Sequence, residues 1–404
     1  MPEEKKYKIL IGAGGTGGHV FPAIALAKKF KSDGHKAVIV ATGNALEKKI
    51  FEDHDIETTF FESKLKDQSS FSKFLSAIGL SFSPIENDER IAKFVKEFSP
   101  QLILGMGGYA SFDLLQAGKL CTTIEDNGDG LFMPKDINEP YIAIHEQNAK
   151  AGRANRASAV SLARGIIEGL PEAFDWKTTF FLLSTDDHVF LGNPIRNEIL
   201  NINRKVRSFK EYSKGPRILV LGGSQGARSI NYAMPEAIKW LSSEMNIEVV
   251  HQTGEPDHEE ICQMYKENKL SPEIFPFIKD MAQAYDWADL VIGRSGAMTV
   301  SELSATGMPS ILIPYPHATD NHQWFNAQFI AKKGGAEVIL DKDLKSEILV
   351  KTIKKIFSQE GILSEMAEAT YDETFVNATQ NIAQFCYKMI EQPPLKDIKD
   401  GGVY

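Results

Sequence analysis

Short, almost continuous apolar runs alternate along this chain with longer stretches of mixed character. In the first half the runs are Lys8–Ile11, Ala37–Ala41, Glu57–Phe61, Leu102–Met106, Thr122–Glu125, Tyr141–His145 and Val160–Leu162. Helix-like stretches such as Pro22–Phe30 fall between most of them. Strands that are apolar on both faces, with helices between, predict a parallel, doubly wound sheet. The pattern then restarts at Arg217–Leu221, with further runs at Glu248–Gln252, Leu290–Ile292 and Ser310–Pro314 and a helix over Ala227–Leu241. The expected fold is therefore α/β, with two Rossmann-like domains facing across a cleft. The first spans residues 1–196 and the second 217–376, joined by a charged, weakly patterned linker over 197–216. A helix over 377–392 is expected to pack back on the first domain, before a Pro/Gly-rich tail over 393–404.

Two stretches stand apart from this alternation. Phe71, Phe74, Leu75 and Ile78 follow helical spacing, with Leu80 and Phe82 beyond and Lys64, Lys66 and Lys73 nearby. They read either as the core face of a helix or as an exposed apolar patch that sits in a bilayer surface. The stretch Glu125–Pro140 is acidic and rich in Gly and Asn. Its Asp126-Asn-Gly-Asp-Gly130 puts glycines where a calcium loop needs ligands, so a surface loop is expected.

With 404 residues, two cores are the natural expectation. A net charge of −9 argues against a nucleic-acid partner, which selects for a basic face. Cys121, Cys262 and Cys386 are scattered and odd in number, which suits a reducing compartment rather than a disulfide or metal framework. The opening Met-Pro-Glu-Glu-Lys-Lys predicts no secretory signal, and no apolar run approaches the ~20 residues of a spanning helix.

The chemistry starts at Ile11-Gly-Ala-Gly-Gly-Thr-Gly-Gly-His19, a glycine loop between a strand and a helix. Such a loop aims backbone N–H groups at an anion, and here an imidazole stands beside it. Gly12, Gly14 and Gly17 fit the dinucleotide fingerprint, but the second strand runs on through Val40-Ala-Thr-Gly-Asn44 without a carboxylate for a ribose. The second loop, Gly222–Gly226, lacks the fingerprint, and neither loop is followed by the Gly-Lys-Ser/Thr of a Walker motif. In Gly293-Arg-Ser-Gly-Ala-Met-Thr-Val-Ser-Glu302, Ser295 suits an N-cap. Glu302, near the carboxyl end of a strand, suits a ribose diol; the alternative is a solvated helix glutamate. The polar loop Pro314–Gln323 suits sugar hydroxyls. A metal pair on His317, Asp320 and His322 is imaginable, but no second ligand cluster completes it.

Together these motifs resemble glycosyltransferase family 28, and within it the enzymes that add N-acetylglucosamine to undecaprenyl-diphospho-N-acetylmuramoyl-pentapeptide, converting lipid I to lipid II. The resemblance runs from about Ile9 to Gln384. It rests on Gly14-Gly-Thr-Gly-Gly-His19, Gly105-Met-Gly-Gly-Tyr109, His145-Glu-Gln-Asn148, Gly192-Asn-Pro-Ile-Arg196, Gly222-Gly-Ser-Gln-Gly-Ala227, Arg294–Glu302 and His317–Gln323, in that order. It implies the GT-B fold, a UDP-N-acetylglucosamine donor, transfer with inversion, and no required cofactor or metal. It also implies a peripheral position on the cytoplasmic face of the bacterial inner membrane, with other cell-wall synthesis or division proteins as candidate partners.

By the same resemblance, Ser224 meets the diphosphate, Arg196 faces the donor phosphates and Glu302 holds the ribose. The uracil rests on backbone near Ile278 and is bounded by Ala297 and Met298, Thr299 lies near the phosphate, and Val300 and Ser301 complete the donor stretch. Gln323 reads sugar hydroxyls, while Asn148 and Thr16, Gly17 and Gly18 touch donor sugar and acceptor from across the cleft. His19, Tyr109 and His145 line the acceptor side. His19 is the expected base for the acceptor hydroxyl and His145 its rival; a His19 that only binds acceptor or steadies its loop is the plainer alternative. The chain departs from the family pattern in its long 125–140 loop, in Ala110-Ser-Phe-Asp113, and in His322 where some members carry glutamine. A GT-B transferase acting on another lipid, a UDP-sugar epimerase and a non-catalytic UDP-sugar binder are the competing readings.

Overall fold

The computed structural model describes residues 5–14, 17–62, 89–120, 140–152, 155–156, 158–159, 162–174, 187–202, 215–223, 226–358 and 360–391. The expected strand Thr122–Glu125, the 71–82 patch and the tail lie outside them, as does the 125–140 loop apart from Pro140.

The first domain holds a seven-stranded parallel sheet of β1 (Lys8–Gly12), β2 (Lys36–Ala41), β3 (Thr58–Phe60), β4 (Leu102–Gly105), β5 (Tyr141–Glu146), β6 (Gly165–Glu168) and β7 (Asp187–Phe190). Their spatial order is β3-β2-β1-β4-β5-β6-β7. The second domain holds six parallel strands: β8 (Arg217–Leu221), β9 (Glu248–Gln252), β10 (Glu273–Phe275), β11 (Leu290–Gly293), β12 (Ser310–Leu312) and β13 (Ala336–Val338). Their order, β10-β9-β8-β11-β12-β13, repeats that of the first sheet. Each order reverses once, between β1 and β4 and between β8 and β11. An open parallel sheet binds ligands at such a reversal, beyond the carboxyl ends of its strands.

The structure moves some expected boundaries. The first helix is Gly17–Ser32, so it starts at the glycine loop itself and carries Pro22 inside. Of the expected strand 160–162 only Leu162 is described, and it lies in a turn; the strand comes just after, at Gly165–Glu168. The central strands are buried on both faces, which is why they read as continuous apolar runs: Ile9, Leu10 and Ile11 are each 0% exposed, as are Leu102, Ile103 and Leu104.

The C-terminal helix, Ala378–Glu391, buries Ile382, Ala383, Cys386 and Met389 against Leu26, Phe30 and Ala143 of the first domain. At about 1.5–3 kcal/mol for each large apolar side chain fully buried, Ile382 and Met389 alone tether it by roughly 3–6 kcal/mol. Tyr387 donates to Asp33 at 2.7 Å and Tyr7 to Glu391 at 2.9 Å on the same seam. Between the domains, Ile195 and Ile199 sit in one cluster with Val300, Leu303 and Phe375 of the second domain.

Candidate active site

On the first wall, the loops after β1 and β4 lie against each other, and glycines make this possible. A Cβ on Gly108 (φ 83°) would fall 2.3 Å from the Gly14 carbonyl oxygen. One on Gly107 (φ 100°) would fall 2.7 Å from the His19 ring. His19 therefore stands in the first turn of its helix with its ring packed on bare backbone. The residue as a whole is half-buried, but its Nδ1 is sealed from solvent. Burial pulls its pKa below the usual 6.5, with the Glu146 charge opposing. A neutral imidazole is the form that accepts a proton. Gly17 and Gly18 open the helix, whereas Thr16 lies outside the described residues. Tyr109 begins the helix Tyr109–Leu120, its side chain outside what is described.

The His145-Glu-Gln-Asn148 segment ends β5 and braces this wall. His145 is 0% exposed and sits 3.0 Å by Nε2 from the Gly192 carbonyl, and burial pushes its pKa down to about 4. The residue expected on the acceptor side, and as the rival base, thus has no exposed surface here. Glu146, also buried, accepts from the backbone N–H groups of Asn148 (2.9 Å) and Gly152 (3.0 Å) and from the Asn155 amide (2.8 Å). Gln147 Nε2 donates to the Met106 carbonyl at 3.0 Å, joining the segment to the loop after β4. Asn148 is carried on this frame toward the second domain.

The second wall is built around the helix Ala297–Thr306. Ser295 does not cap it, contrary to the sequence expectation. Its Oγ donates to the Gln323 carbonyl at 2.7 Å, and the N-cap is Gly296, which has no side chain to offer the first-turn amides. The amide ends of Ala297, Met298 and Thr299 therefore form an anion-seeking helix start at the β8/β11 reversal. Val300 and Ser301 face inward rather than toward the cleft: Val300 is 0% exposed, and Ser301 Oγ donates to the Ala297 carbonyl and accepts from Asn193 Nδ2. The backbone N–H of Ile278 is taken by Gln252 Oε1 at 3.0 Å. Gly223 and Gly226 have left-handed φ of 71° and 79°, while Ser224 between them lies outside the described residues. Gln323 is half-buried and accepts from the Tyr315 N–H at 3.0 Å.

Glu302 is not a solvated helix glutamate; it is 6% exposed. Its Oε1 accepts from Arg196 Nη2 at 2.8 Å and its Oε2 from the Tyr285 hydroxyl at 3.1 Å. Arg196 also lies over the Phe21 ring, 5.6 Å from its centroid. Burial works against the guanidinium charge, but Glu302 outweighs it and the pKa rises above its ordinary value. The residues expected at the ribose and at the phosphates are thus brought together as one pair.

Further bonds cross between the domains, none expected from the sequence. Asn326, fully buried on the helix His322–Ala331, accepts from the Ala149 N–H at 2.8 Å. Its Nδ2 donates to Asn148 Oδ1 and to the Ser295 carbonyl, each at 3.1 Å. Arg156 pairs with Asp320 at 2.9 Å. Asp320 and Asn321 both hold left-handed φ, 52° and 57°, a strained turn of the kind that marks functional loops. Among the described residues no group of three or more His, Cys, Asp or Glu could hold a metal ion.

Two parallel-sheet Rossmann-like domains, each presenting its reversal point to the other, define a GT-B protein. Models of the glycosyltransferase family 28 N-terminal and C-terminal domains match residues 9–126 and 217–383. The chain belongs to glycosyltransferase family 28. A relative from Dechloromonas aromatica, named UDP-N-acetylglucosamine–N-acetylmuramyl-(pentapeptide) pyrophosphoryl-undecaprenol N-acetylglucosamine transferase, is 34% identical over 379 residues, 94% of this chain and 97% of its own. One of the same name from Thermodesulfovibrio yellowstonii is 36% identical, covering 90% and 93%. The solved structure of Acinetobacter baumannii MurG superposes with a TM-score of 0.70 at 28% identity, covering 94% of this chain and 99% of that one. A UDP-GlcNAc 2-epimerase from Neisseria meningitidis shares the fold at a TM-score of 0.63 but only 10% identity, covering 94% and 100%.

Proposed function

We propose that this protein transfers N-acetylglucosamine from UDP-N-acetylglucosamine to undecaprenyl-diphospho-N-acetylmuramoyl-pentapeptide, lipid I, releasing UDP and forming lipid II. The observation that carries this reading is the near full-length match to relatives of that named activity. The site suits it. The helix start at Ala297–Thr299 receives the diphosphate, and fixed amide dipoles stabilise the charge that grows on the leaving UDP. Glu302 receives the ribose. The acceptor 4-hydroxyl attacks the anomeric carbon from the face opposite UDP, the bond from that carbon to the phosphate oxygen breaks, and the configuration inverts. His19 takes the hydroxyl proton; with Nδ1 sealed in the wall, Nε2 is the nitrogen that serves. The reaction as drawn requires no cofactor.

Among the described residues no helix is long and apolar enough to cross a membrane. The lipid acceptor suits a peripheral enzyme on the cytoplasmic face of the inner membrane, with the 71–82 segment as its membrane patch and cell-wall or division proteins as neighbours.

The test is turnover with defined substrates. Purified protein given UDP-N-acetylglucosamine and lipid I should yield UDP and lipid II in equal amounts. Epimerised UDP-sugar formed without acceptor, or donor binding with no transfer to lipid I, would overturn the reading. His19→Ala should lower kcat by about 10²–10⁴-fold while leaving donor KM within a few-fold. Equal losses in both would remove its role as base.

A further inference from the structure

Tyr285 has no part in the sequence motifs, yet its hydroxyl is one of two donors that hold the Glu302 carboxylate. It lies on the short helix Met281–Trp287, which follows closely on Ile278 and is capped by Asp280, whose Oδ1 accepts from the Gln283 N–H at 2.9 Å. Its ring is 1% exposed and packs in the cluster that contains Ile278, Val300 and Leu303. Phenylalanine would fill that space equally well, so packing does not account for the hydroxyl. A buried phenol needs a partner, and this one is given a carboxylate. Burial, reinforced by that carboxylate, lifts the phenol's pKa well above 10, so at any physiological pH it donates.

The arithmetic of lone pairs shows what this donor does. An ionised carboxylate offers about four acceptor sites, two per oxygen. Arg196 takes one on Oε1 and Tyr285 one on Oε2. One site remains on each oxygen, and a ribose cis-diol has one donor for each. Without the phenol, the other donor that the described residues give this carboxylate is the Arg196 guanidinium. The carboxylate then rotates toward a two-pronged pairing with Arg196, the geometry that pair prefers. Only one oxygen is then set for the sugar, and a diol loses its advantage over a single hydroxyl.

We propose that Tyr285 is a positioning residue that sets Glu302 for two-point recognition of the ribose, and so makes the donor pocket select ribonucleotides over 2′-deoxyribonucleotides. This rests on the reading of a uridine-diphosphate sugar as donor.

The experiment compares UDP with 2′-deoxy-UDP by calorimetric titration, for the wild-type chain and for Tyr285→Phe. The wild type should prefer UDP by ten-fold or more, about the worth of one hydrogen bond to a charged group. In Tyr285→Phe the Kd for UDP should rise about ten-fold, the Kd for 2′-deoxy-UDP should rise less than about three-fold, and the preference should fall toward unity. In a Glu302→Gln background, Tyr285→Phe should leave the already reduced preference where it is. A melting curve for each variant reports that it is folded. An unchanged UDP preference in folded Tyr285→Phe would overturn the proposal and leave the tyrosine as core, with the donor reading intact. A wild-type chain that binds neither nucleotide would overturn both.

Discussion

Asn326 tests whether the two domains are held as the structure shows them. Its amide makes three bonds: one accepted from the Ala149 N–H and two donated, to Asn148 Oδ1 and the Ser295 carbonyl. The residue is 0% exposed. Replacing it with alanine removes all three and leaves two backbone groups without this partner. At about 1 kcal/mol net for each bond the direct loss is roughly 3 kcal/mol, and each of the two backbone groups adds about 1–3 where nothing replaces the partner. A water in the vacated space recovers part of this, so about 2–4 kcal/mol is expected. For domains of this size that is a fall of roughly 5–15 °C in Tm by scanning calorimetry. Asn326→Asp is the sharper variant because the shape hardly changes. It keeps an acceptor for Ala149 but turns a carboxylate oxygen toward two other acceptors, out of reach of bulk solvent and with no space freed for a water. The aspartate should therefore be less stable than the alanine at pH 7. Donor KM should rise in both, because Asn148 loses the partner that orients it. An aspartate variant as stable as wild type, with unchanged KM, would mean that this contact is not formed in solution and that the cleft does not have the closure described.

Acid should destabilise the protein in a defined window. His145 binds its proton only near pH 4 when folded but near 6.5 when unfolded, so stability is full above pH 6.5 and falls as pH drops from there to about 4. The loss is about 3 kcal/mol from His145, and His251, with its pKa pushed down to about 3, adds to it. Urea titrations at a series of pH values measure this slope, which His145→Gln should flatten; an unaltered slope would refute the assignment. Glycines 108 and 334 share nearly the same φ, 83° and 89°, but only Gly108 has an atom in the way of a Cβ. Gly334→Ala should cost about 1–2 kcal/mol from the left-handed backbone alone and leave kcat/KM unchanged. Gly108→Ala must push the first glycine loop away from the Gly107–Gly108 turn, so it should cost more and lower kcat/KM at least ten-fold, the size of effect that displacing a catalytic group by a fraction of an ångström brings. Equal behaviour of the two alanine variants in melts and turnover would show that the contact with Gly14 is not tight.

How much of this was legible depended on whether a residue's role is local. The long central strands were, because burial on both faces writes an unbroken apolar run into the sequence. The strands Glu273–Phe275 and Ala336–Val338 were not: each is three residues long at a sheet edge, the first largely exposed and the second partly buried, and contributes no run to find. The glycine loops were legible as tight turns because such a turn at the end of a strand demands glycine. Ser295 misled because a serine just before a helix is a good cap, and only the fold reveals that the Gln323 carbonyl claims its hydroxyl instead. Asn326 and Tyr285 left no local signal, and Asn193 showed only as part of its motif, since each acts on a residue well away along the chain. Asn193 is 108 positions from the serine it bonds, and Asn326 is 177 from Ala149. An amide or a phenol in a helical stretch looks the same with or without such a partner.

Arg196 and Glu302 are the instructive case, because each was assigned a duty alone and the structure joins them. A buried ion pair is stable only if the remaining donors and acceptors are also met, since removing both charges from water is costly. Here the carboxylate has the Tyr285 hydroxyl as a second donor and the guanidinium has the face of Phe21 beneath it. The pair does not consume either residue's capacity. A guanidinium carries five N–H groups, and the bond to Glu302 runs through Nη2, so its other donors can face an anion without letting go. Phosphate binding by Arg196 and ribose binding by Glu302 are thus compatible, and the 2.8 Å contact fixes the spacing between the two. That spacing is also tied to the join between the domains, because Arg196 stands between Ile195 and Ile199, which pack on the second domain, while Phe21 belongs to the helix that carries His19. A ligand that engaged Arg196 and Glu302 together would therefore bear on a contact that joins the Glu302 helix, the segment between the domains and the His19 helix, which ties the geometry around Glu302 to the closure of the cleft.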